Sequence, residues 1–368
     1  MAKHTMHYAR RLETIGCKAS VYLLSELKRQ AHYSRYPGFC QDGGQSGRAG
    51  RSAHPLTVRY LAHGRPLCYN QADQRYHFLV GRATAGGMGF VFRLEDYAGY
   101  LERVGQATYL DVTRRTDPAR IERVWDNLRA VVETFGAPWI VQLWTKDAAA
   151  ALAQGGPLLR HLVQQGTTLA AQVTVTGLSG TLWEPRTPAE PFVGLAKLID
   201  LAGGPDHIKW RYDPVIPTVH HLDRFRCLAA RAAALGITRC VVNFVAAPGH
   251  YKRVDARLAQ VLPGWSQGMP AYDEVWRAGT AAELVEVGHE MGLTVATCAE
   301  SAGLAVRVPG LQPAVCGDHD WFVGLSGWDP GRAPASGSRP GCGCAAYFDV
   351  GLYGQWQRCH QCLYCYAG

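Results

Sequence analysis

Five of the chain's twelve cysteines fall within the last 27 residues, as Cys342-Gly-Cys344 and then, after fourteen residues, Cys359-His-Gln-Cys362-Leu-Tyr-Cys365. Thiols gathered this densely suit a metal or iron–sulfur centre, since clustered cysteines in a reducing compartment are more often ligands than disulfides. A structural zinc site takes four ligands from two paired knuckles, which Cys342, Cys344, Cys359 and Cys362 would supply, leaving Cys365 over. The closer triplet Cys359, Cys362 and Cys365 suits a [4Fe–4S] cluster with one iron not held by the motif and therefore open to a small-molecule ligand. Redox-active thiols are the third option. The aromatic neighbours Tyr353, Trp356, Tyr364 and Tyr366 would shield a cluster from solvent and so tune its potential.

A second set of reactive side chains lies upstream, and its meaning depends on the elements that carry it. Short apolar runs at 107–112, 139–143, 169–175, 207–212, 238–244 and 293–297 alternate with amphipathic stretches at about 118–133, 148–164, 192–201, 222–235 and 273–291. Such alternation predicts parallel strands joined by helical crossovers. No Gly-rich dinucleotide turn follows the first strand, so the expected fold class is α/β, a partial (β/α)6 TIM-type barrel over 106–300. Residues 1–105 are expected to be a basic, partly irregular region. It contains a short helix at 18–29, a Gly/Ser-rich loop at 38–52, strands at 76–79 and 89–92, and a turn at Gly86-Gly-Met-Gly89. Residues 301–368 are expected to be a Cys-rich metal-binding tail on irregular backbone.

In a parallel βα barrel, chemistry collects at the carboxyl ends of the strands. Those ends carry Arg114, Arg115 and Asp117, then Lys146, then Gln172 on the third strand, then Arg211 with Asp213, Asn243 and Glu300. Arg114, Arg115, Asp117, Gln172, Arg211 and Asn243 are the candidate cofactor-binding residues: guanidinium forks suit carboxylate and phosphate groups, and the others add hydrogen-bonding groups. Asp213, Glu300 and Lys146 are the candidate catalytic groups. Each also has a plain structural reading: residues 113–118 as a helix start with proline in the first turn, and Arg211 with Asp213 as an ion pair. Together they would surround one polar cavity suited to a polar or anionic small molecule. The tail leaves the last strand at the same end and can fold its cysteines across that cavity.

Bulk composition narrows the classes. With 47% hydrophobic and 18% charged residues among 368, the balance is globular. No apolar run of eighteen or more occurs, which excludes a hydrophobic membrane span, and the polar N-terminus lacks the apolar core of a secretory signal, so a cytoplasmic location is expected. The formal net charge of +8 suits a polyanionic partner such as nucleic acid, an anionic substrate, or simply an Arg-rich composition.

Six short motifs occur in order: Thr113-Arg-Arg-Thr-Asp117, Trp144-Thr-Lys146, Trp210-Arg-Tyr-Asp-Pro214, Thr297-Cys-Ala-Glu300, Cys342-Gly-Cys344 and Tyr364-Cys-Tyr-Ala367. In these the chain resembles a bacterial family catalogued as domain of unknown function 1848, over about residues 107–368. The ending is also similar to the cluster motif of radical S-adenosylmethionine enzymes of the spore photoproduct lyase branch. That resemblance implies a [4Fe–4S] cluster, S-adenosylmethionine as cosubstrate, an electron donor, and reductive cleavage to a 5′-deoxyadenosyl radical. The chain departs from that motif in two ways: its cysteines follow the last strand instead of the first, and Cys359 to Cys362 is spaced x2 where x3 is usual. Cys342 or Cys344 would then complete the ligand set. The alternative is a non-catalytic zinc or iron–sulfur protein that binds nucleic acid through its basic surface.

Overall fold

The computed structural model describes residues 92–265, 274–298, 300, 302–333 and 343–367. The helix expected at 18–29, the loop at 38–52, the strand at 76–79, the turn at 86–89, nearly all of 89–92, and Cys342 lie outside the described residues.

Eight parallel strands form one open sheet in the order β7-β6-β5-β4-β3-β2-β1-β8. They are β1 (Tyr109–Val112), β2 (Ile140–Thr145), β3 (Thr168–Thr174), β4 (Ile208–Val215), β5 (Arg239–Phe244), β6 (Thr294–Thr297), β7 (Gln312–Pro313) and β8 (Phe348–Asp349). Chain order is kept from β1 to β7, as the strand–helix alternation anticipates. The connecting helices are α1 (Leu94–Val104), α2 (Arg123–Phe135), α3 (Ala148–Gln164), α4 (Leu195–Ala202), α5 (Leu222–Ala234), α6 (Lys252–Leu258), α7 (Glu274–Glu290), α8 (Ala302–Arg307) and α9 (His319–Ser326).

Side chains alternate across a strand, so each strand writes two surfaces. One set, including Leu110, Val112, Val141, Leu143, Trp210, Tyr212 and Val242, joins the main hydrophobic core beneath the helices. Its aromatic centre stacks Trp210 on Phe225 of α5, with ring centroids 5.3 Å apart, a pairing worth about 0.5–1.5 kcal/mol beyond area burial. The other face carries Asp111, Gln142, Gln172 and Arg211, polar and yet buried, beside the apolar Ile140, Ala170 and Val241. Local sequence fixes the helices that frame this arrangement. Asp147 caps α3 by accepting from the Ala150 N–H at 3.0 Å. Gly155 on the same helix admits the Trp125 ring of α2, where a Cβ would stand 2.3 Å from ring carbons.

Two expectations are revised. The tail is not irregular throughout: it supplies α8, α9, β7 and β8. The residues ahead of 105 supply α1, whose Tyr97 and Tyr100 are buried and meet the Phe348 ring at 5.1 and 5.9 Å. The main core therefore runs from α1 to Val350. The polar face of the sheet is covered in part by α9. Its Trp321 and Phe322 cluster with Tyr109, Trp139, Ile140 and Ala170, and Lys209 of β4 donates to Asp318 at 2.8 Å just ahead of α9. Among the described residues no helix is long and apolar enough to cross a membrane.

Candidate functional site at the carboxyl ends of the strands

The polar face resolves into three groups of side chains. The first is a chain of hydrogen bonds across β3, β4 and β5. Arg211 donates to Gln172 Oε1 at 2.8 Å and also pairs with Asp213. Asn243 donates to Asp213 Oδ2 at 2.9 Å. The far ends of this chain hold polypeptide. Gln172 and Gln142 both donate to the Cys316 carbonyl, at 2.9 and 3.2 Å, and Asn243 Oδ1 accepts the Cys298 N–H at 2.9 Å. Gln172, Arg211 and Asn243, expected to bind a cofactor, thus position the loops that follow β6 and β7. Glu300 accepts from the Phe244 N–H at 3.1 Å and pairs with Arg277 of α7 at 2.6 Å; burial raises its pKa.

The second group surrounds Asp111. This fully buried carboxylate accepts from Tyr109 at 2.6 Å and from Trp144 at 2.7 Å, and pairs with Arg114. Burial pushes Asp111 up to about 6 against the pull of the Arg114 guanidinium. Arg114 lies 3.8 Å from the centroid of the Tyr347 ring, while Arg115 faces Asp349 at 3.6 Å and the Tyr353 ring at 4.7 Å. Asp349 also accepts from the Thr113 hydroxyl. Arg114 and Arg115 are therefore held from both sides by acids and aromatic rings.

The third group receives the chain's terminal segment. Asp117 accepts from the Lys146 N–H at 2.5 Å, from Thr145 at 2.8 Å and from the Ala119 N–H at 2.9 Å. His360 Nε2 lies 2.8 Å from Asp117 Oδ2. Burial works against the charged form, but His360 and the backbone N–H groups hold the Asp117 carboxyl below its ordinary value. The Asp117 N–H in turn points at Cys359 Sγ, 3.4 Å away. Lys146 donates to Glu184 at 2.9 Å and to the Tyr364 hydroxyl at 3.0 Å. Both members of that buried pair are kept ionised: burial opposes charge on each, yet their mutual attraction raises Lys146 and lowers Glu184.

Cys359, Cys362 and Cys365 are brought together, near enough for the charge state of each to bear on the Cys362 thiol. Burial pushes Cys359 up to about 11 and raises Cys362 as well. Lys146 supplies positive charge beside Cys362, and Arg257 donates to the carbonyls of Leu363, at 2.8 Å, and of Cys365. Trp356 donates to the Cys362 carbonyl at 3.0 Å. Three soft sulfur donors, an N–H directed at one of them and a nearby cation fit in chemistry a metal centre whose binding would ionise the thiols. Among the described residues no group of three or more His, Cys, Asp or Glu side chains is set in coordinating geometry, so a metal would have to draw the three sulfurs in. Cys344 is placed elsewhere: its sulfur accepts the Gly317 N–H at 3.4 Å and contacts Cys316. Cys316 in turn lies 3.1 Å, sulfur to sulfur, from Cys298.

Sequence reasoning passed over Asp111, Glu184, His360, Asp349 and Cys316. His360 had a signal, being set between two cysteines of the terminal motif. Glu184 had none, because it stands in the loop after β3, ten residues beyond the strand end.

Comparison with known proteins gives a family and little else. A search of curated proteins gives no match. Among solved structures, the carboxyl transferase domain of Rhizobium etli pyruvate carboxylase with pyruvate and biocytin is similar at 14% identity and a TM-score of 0.28, covering 61% of this chain and 31% of that one. The same domain with 3-hydroxypyruvate is similar at 13% identity and a TM-score of 0.20, covering 64% and 47%. The chain thus spans less than half the length of either structure. A family model described as "Domain of unknown function (DUF1848)" matches residues 134–367, a span that holds the terminal cysteines, Lys146 and Glu184 but begins after Asp117. The chain belongs to this family.

Proposed function

We propose that the chain is a non-standard radical S-adenosylmethionine-type iron–sulfur enzyme acting on a polar or anionic small molecule. The observation that carries this reading is the seating of the Cys359–Cys365 segment on Asp117, Lys146 and Glu184 at the carboxyl ends of the strands. In this reading the consecutive strands form a partial barrel and the tail closes its mouth. Cys359, Cys362 and Cys365 would hold a [4Fe–4S] cluster, which when bound supplies the reductive cleavage of S-adenosylmethionine. The chain's own side chains do the positioning. Asp117 with His360, and Lys146 with Glu184 and Tyr364, hold the cysteine loop in place before any ligand arrives. Lys146 offsets negative charge beside Cys362. Tyr364 and Trp356 keep water from the thiols. Asp213, steadied by Arg211 and Asn243, and Glu300, steadied by Arg277, are the carboxylates available to orient a cosubstrate hydroxyl or amine.

A structural metal staple on a nucleic-acid-binding protein is supported only by the formal charge of +8. Arg114, Arg211, Arg231 and Arg277 are spent on ion pairs within the fold and add nothing to a basic face. The test is incubation of anaerobically reconstituted full-length protein with dithionite and S-adenosylmethionine. The expected product is 5′-deoxyadenosine, abolished in Cys362→Ala; its absence under several reductants would overturn the proposal.

A further inference from the structure

Three cysteines outside the terminal triplet, Cys298, Cys316 and Cys344, form a group that the proposed cluster does not use. Cys298 follows β6, Cys316 follows β7 and Cys344 precedes β8. Cys298 and Cys316 are partly exposed, while Cys344 is buried. The Cys298 and Cys316 sulfurs are 3.1 Å apart. Two thiolates on one tetrahedral zinc stand about 3.8 Å apart, given Zn–S bonds of about 2.3 Å, and ligands of a polynuclear cluster are spread wider. A disulfide is reached at about 2.05 Å, a closure of about 1 Å from the observed separation. The observed separation is a non-bonded sulfur–sulfur contact within about 1 Å of a disulfide.

The surrounding hydrogen bonds hold this approach in place. Gln142 and Gln172 fix the Cys316 carbonyl from β2 and β3. Asn243 fixes the Cys298 N–H from β5. Gly317 donates to Cys344 Sγ. Gly317 must be small: a Cβ there would stand 2.7 Å from the Tyr109 ring. Polar side chains on the central strands are thereby committed to holding two loops so that their thiols meet.

We propose that Cys298 and Cys316 are a redox-active dithiol that exchanges with external disulfides, with Cys316 as the sulfur shared between Cys298 and Cys344. Against a small disulfide of the glutathione class, the Cys316 thiolate attacks one sulfur, forms a mixed disulfide and expels the first thiolate. Cys298, giving up its proton, then attacks the Cys316 sulfur and expels the second. The two protein thiols lose two electrons and two protons, and the external disulfide leaves as two thiols. Attack by Cys344 on Cys316 passes the bond to Cys316–Cys344 without further oxidant. This inference is independent of what Cys359, Cys362 and Cys365 hold.

Full-length protein is equilibrated over a series of reduced-to-oxidised glutathione ratios, quenched in acid, alkylated and mapped by peptide mass spectrometry. The expected result is a peptide pair joined through Cys298 and Cys316, at half occupancy within the series and fully reversed by dithiothreitol. In Cys298→Ser the joined pair becomes Cys316–Cys344, and in Cys316→Ser neither link forms. Two outcomes would overturn the proposal. One is alkylation of Cys298 and Cys316 as free thiols in wild-type protein across the whole series. The other is protection of both from alkylation and oxidation until a chelator is added, which would mark them as metal ligands.

Discussion

Asp117 is the joint between the strand ends and the cysteine segment, and the replacement Asp117→Asn isolates its charge. The side chain is 7% exposed, and every polar neighbour is placed to donate to it. Oδ1 faces Thr145 and the Ala119 N–H; Oδ2 faces the Lys146 N–H and His360. The asparagine amide would have the same outline but would carry an NH2 in one of the two positions. Whichever way the amide turns, a backbone N–H of Ala119 or Lys146 meets another donor and loses its partner. Hydrogen bonds to a charged group contribute about 1.5–3 kcal/mol each, and since the Thr145 hydroxyl or the His360 ring can accept from the new NH2, the one backbone bond lost costs about 1.5–3 kcal/mol. The Asp117 N–H to Cys359 contact lies on the same loop, so the loss should also loosen residues 356–367. Because the carboxyl is held below its ordinary value of 3.8, its contribution is present above that pH and is lost as pH falls through the lower folded value. Urea denaturation at neutral pH should show the deficit, and it should shrink in acid below about pH 4. Amide exchange should show faster exchange at the terminal segment. A cost under about 1 kcal/mol, with exchange at Cys359–Cys365 unchanged, would refute this role for Asp117.

Three further outcomes are expected. Lys146→Met leaves Glu184 charged and 1% exposed, so it should destabilise by about 3–5 kcal/mol in denaturant melts; the double replacement Lys146→Met, Glu184→Met should regain part of that, since two apolar groups need no partner. A carboxyl raised to about 6, as at Asp111, adds stability that is complete below the unfolded value and disappears as pH rises through the folded one. Denaturant titrations from pH 4 to 7 should therefore show a decline on the order of 3 kcal/mol, and Asp111→Asn should flatten it. Gly194→Ala forces a φ of +82° on alanine and brings its Cβ within 2.6 Å of the Ala149 backbone; a loss of at least about 1–3 kcal/mol is expected from thermal or denaturant melts.

The fold was legible where the chain writes long periodic signals. Helix α3 begins and ends where its apolar spacing and the Asp147 cap place it, and all six apolar runs became strands. Strands β7 and β8 are two residues each, too short to carry a period. Helix α1 does show helical spacing at Tyr97, Tyr100 and Val104, but it follows a Gly-rich basic stretch that masks it. At the site, residue types were readable and partners were not. Gln172, Arg211 and Asn243 have the chemistry to bind a ligand, and nothing local to them shows that the loops at Cys298 and Cys316 come to occupy their hydrogen-bonding groups. Cys344 sits beside Cys342 in sequence, yet its contact with Cys316 is made by the return of the chain to β8, a long-range event. Glu184 and His360 meet the strand ends in the same way.

The proposed function requires that the terminal thiols hold an iron–sulfur cluster over the strand ends. Its most direct test is iron, zinc and acid-labile sulfide analysis, with an electronic spectrum, of anaerobically purified full-length protein and of Cys362→Ala. Brown protein with about four iron and four sulfide per chain is expected, both lost in the variant. Colourless protein holding one zinc, or iron retained in Cys362→Ala, would contradict it.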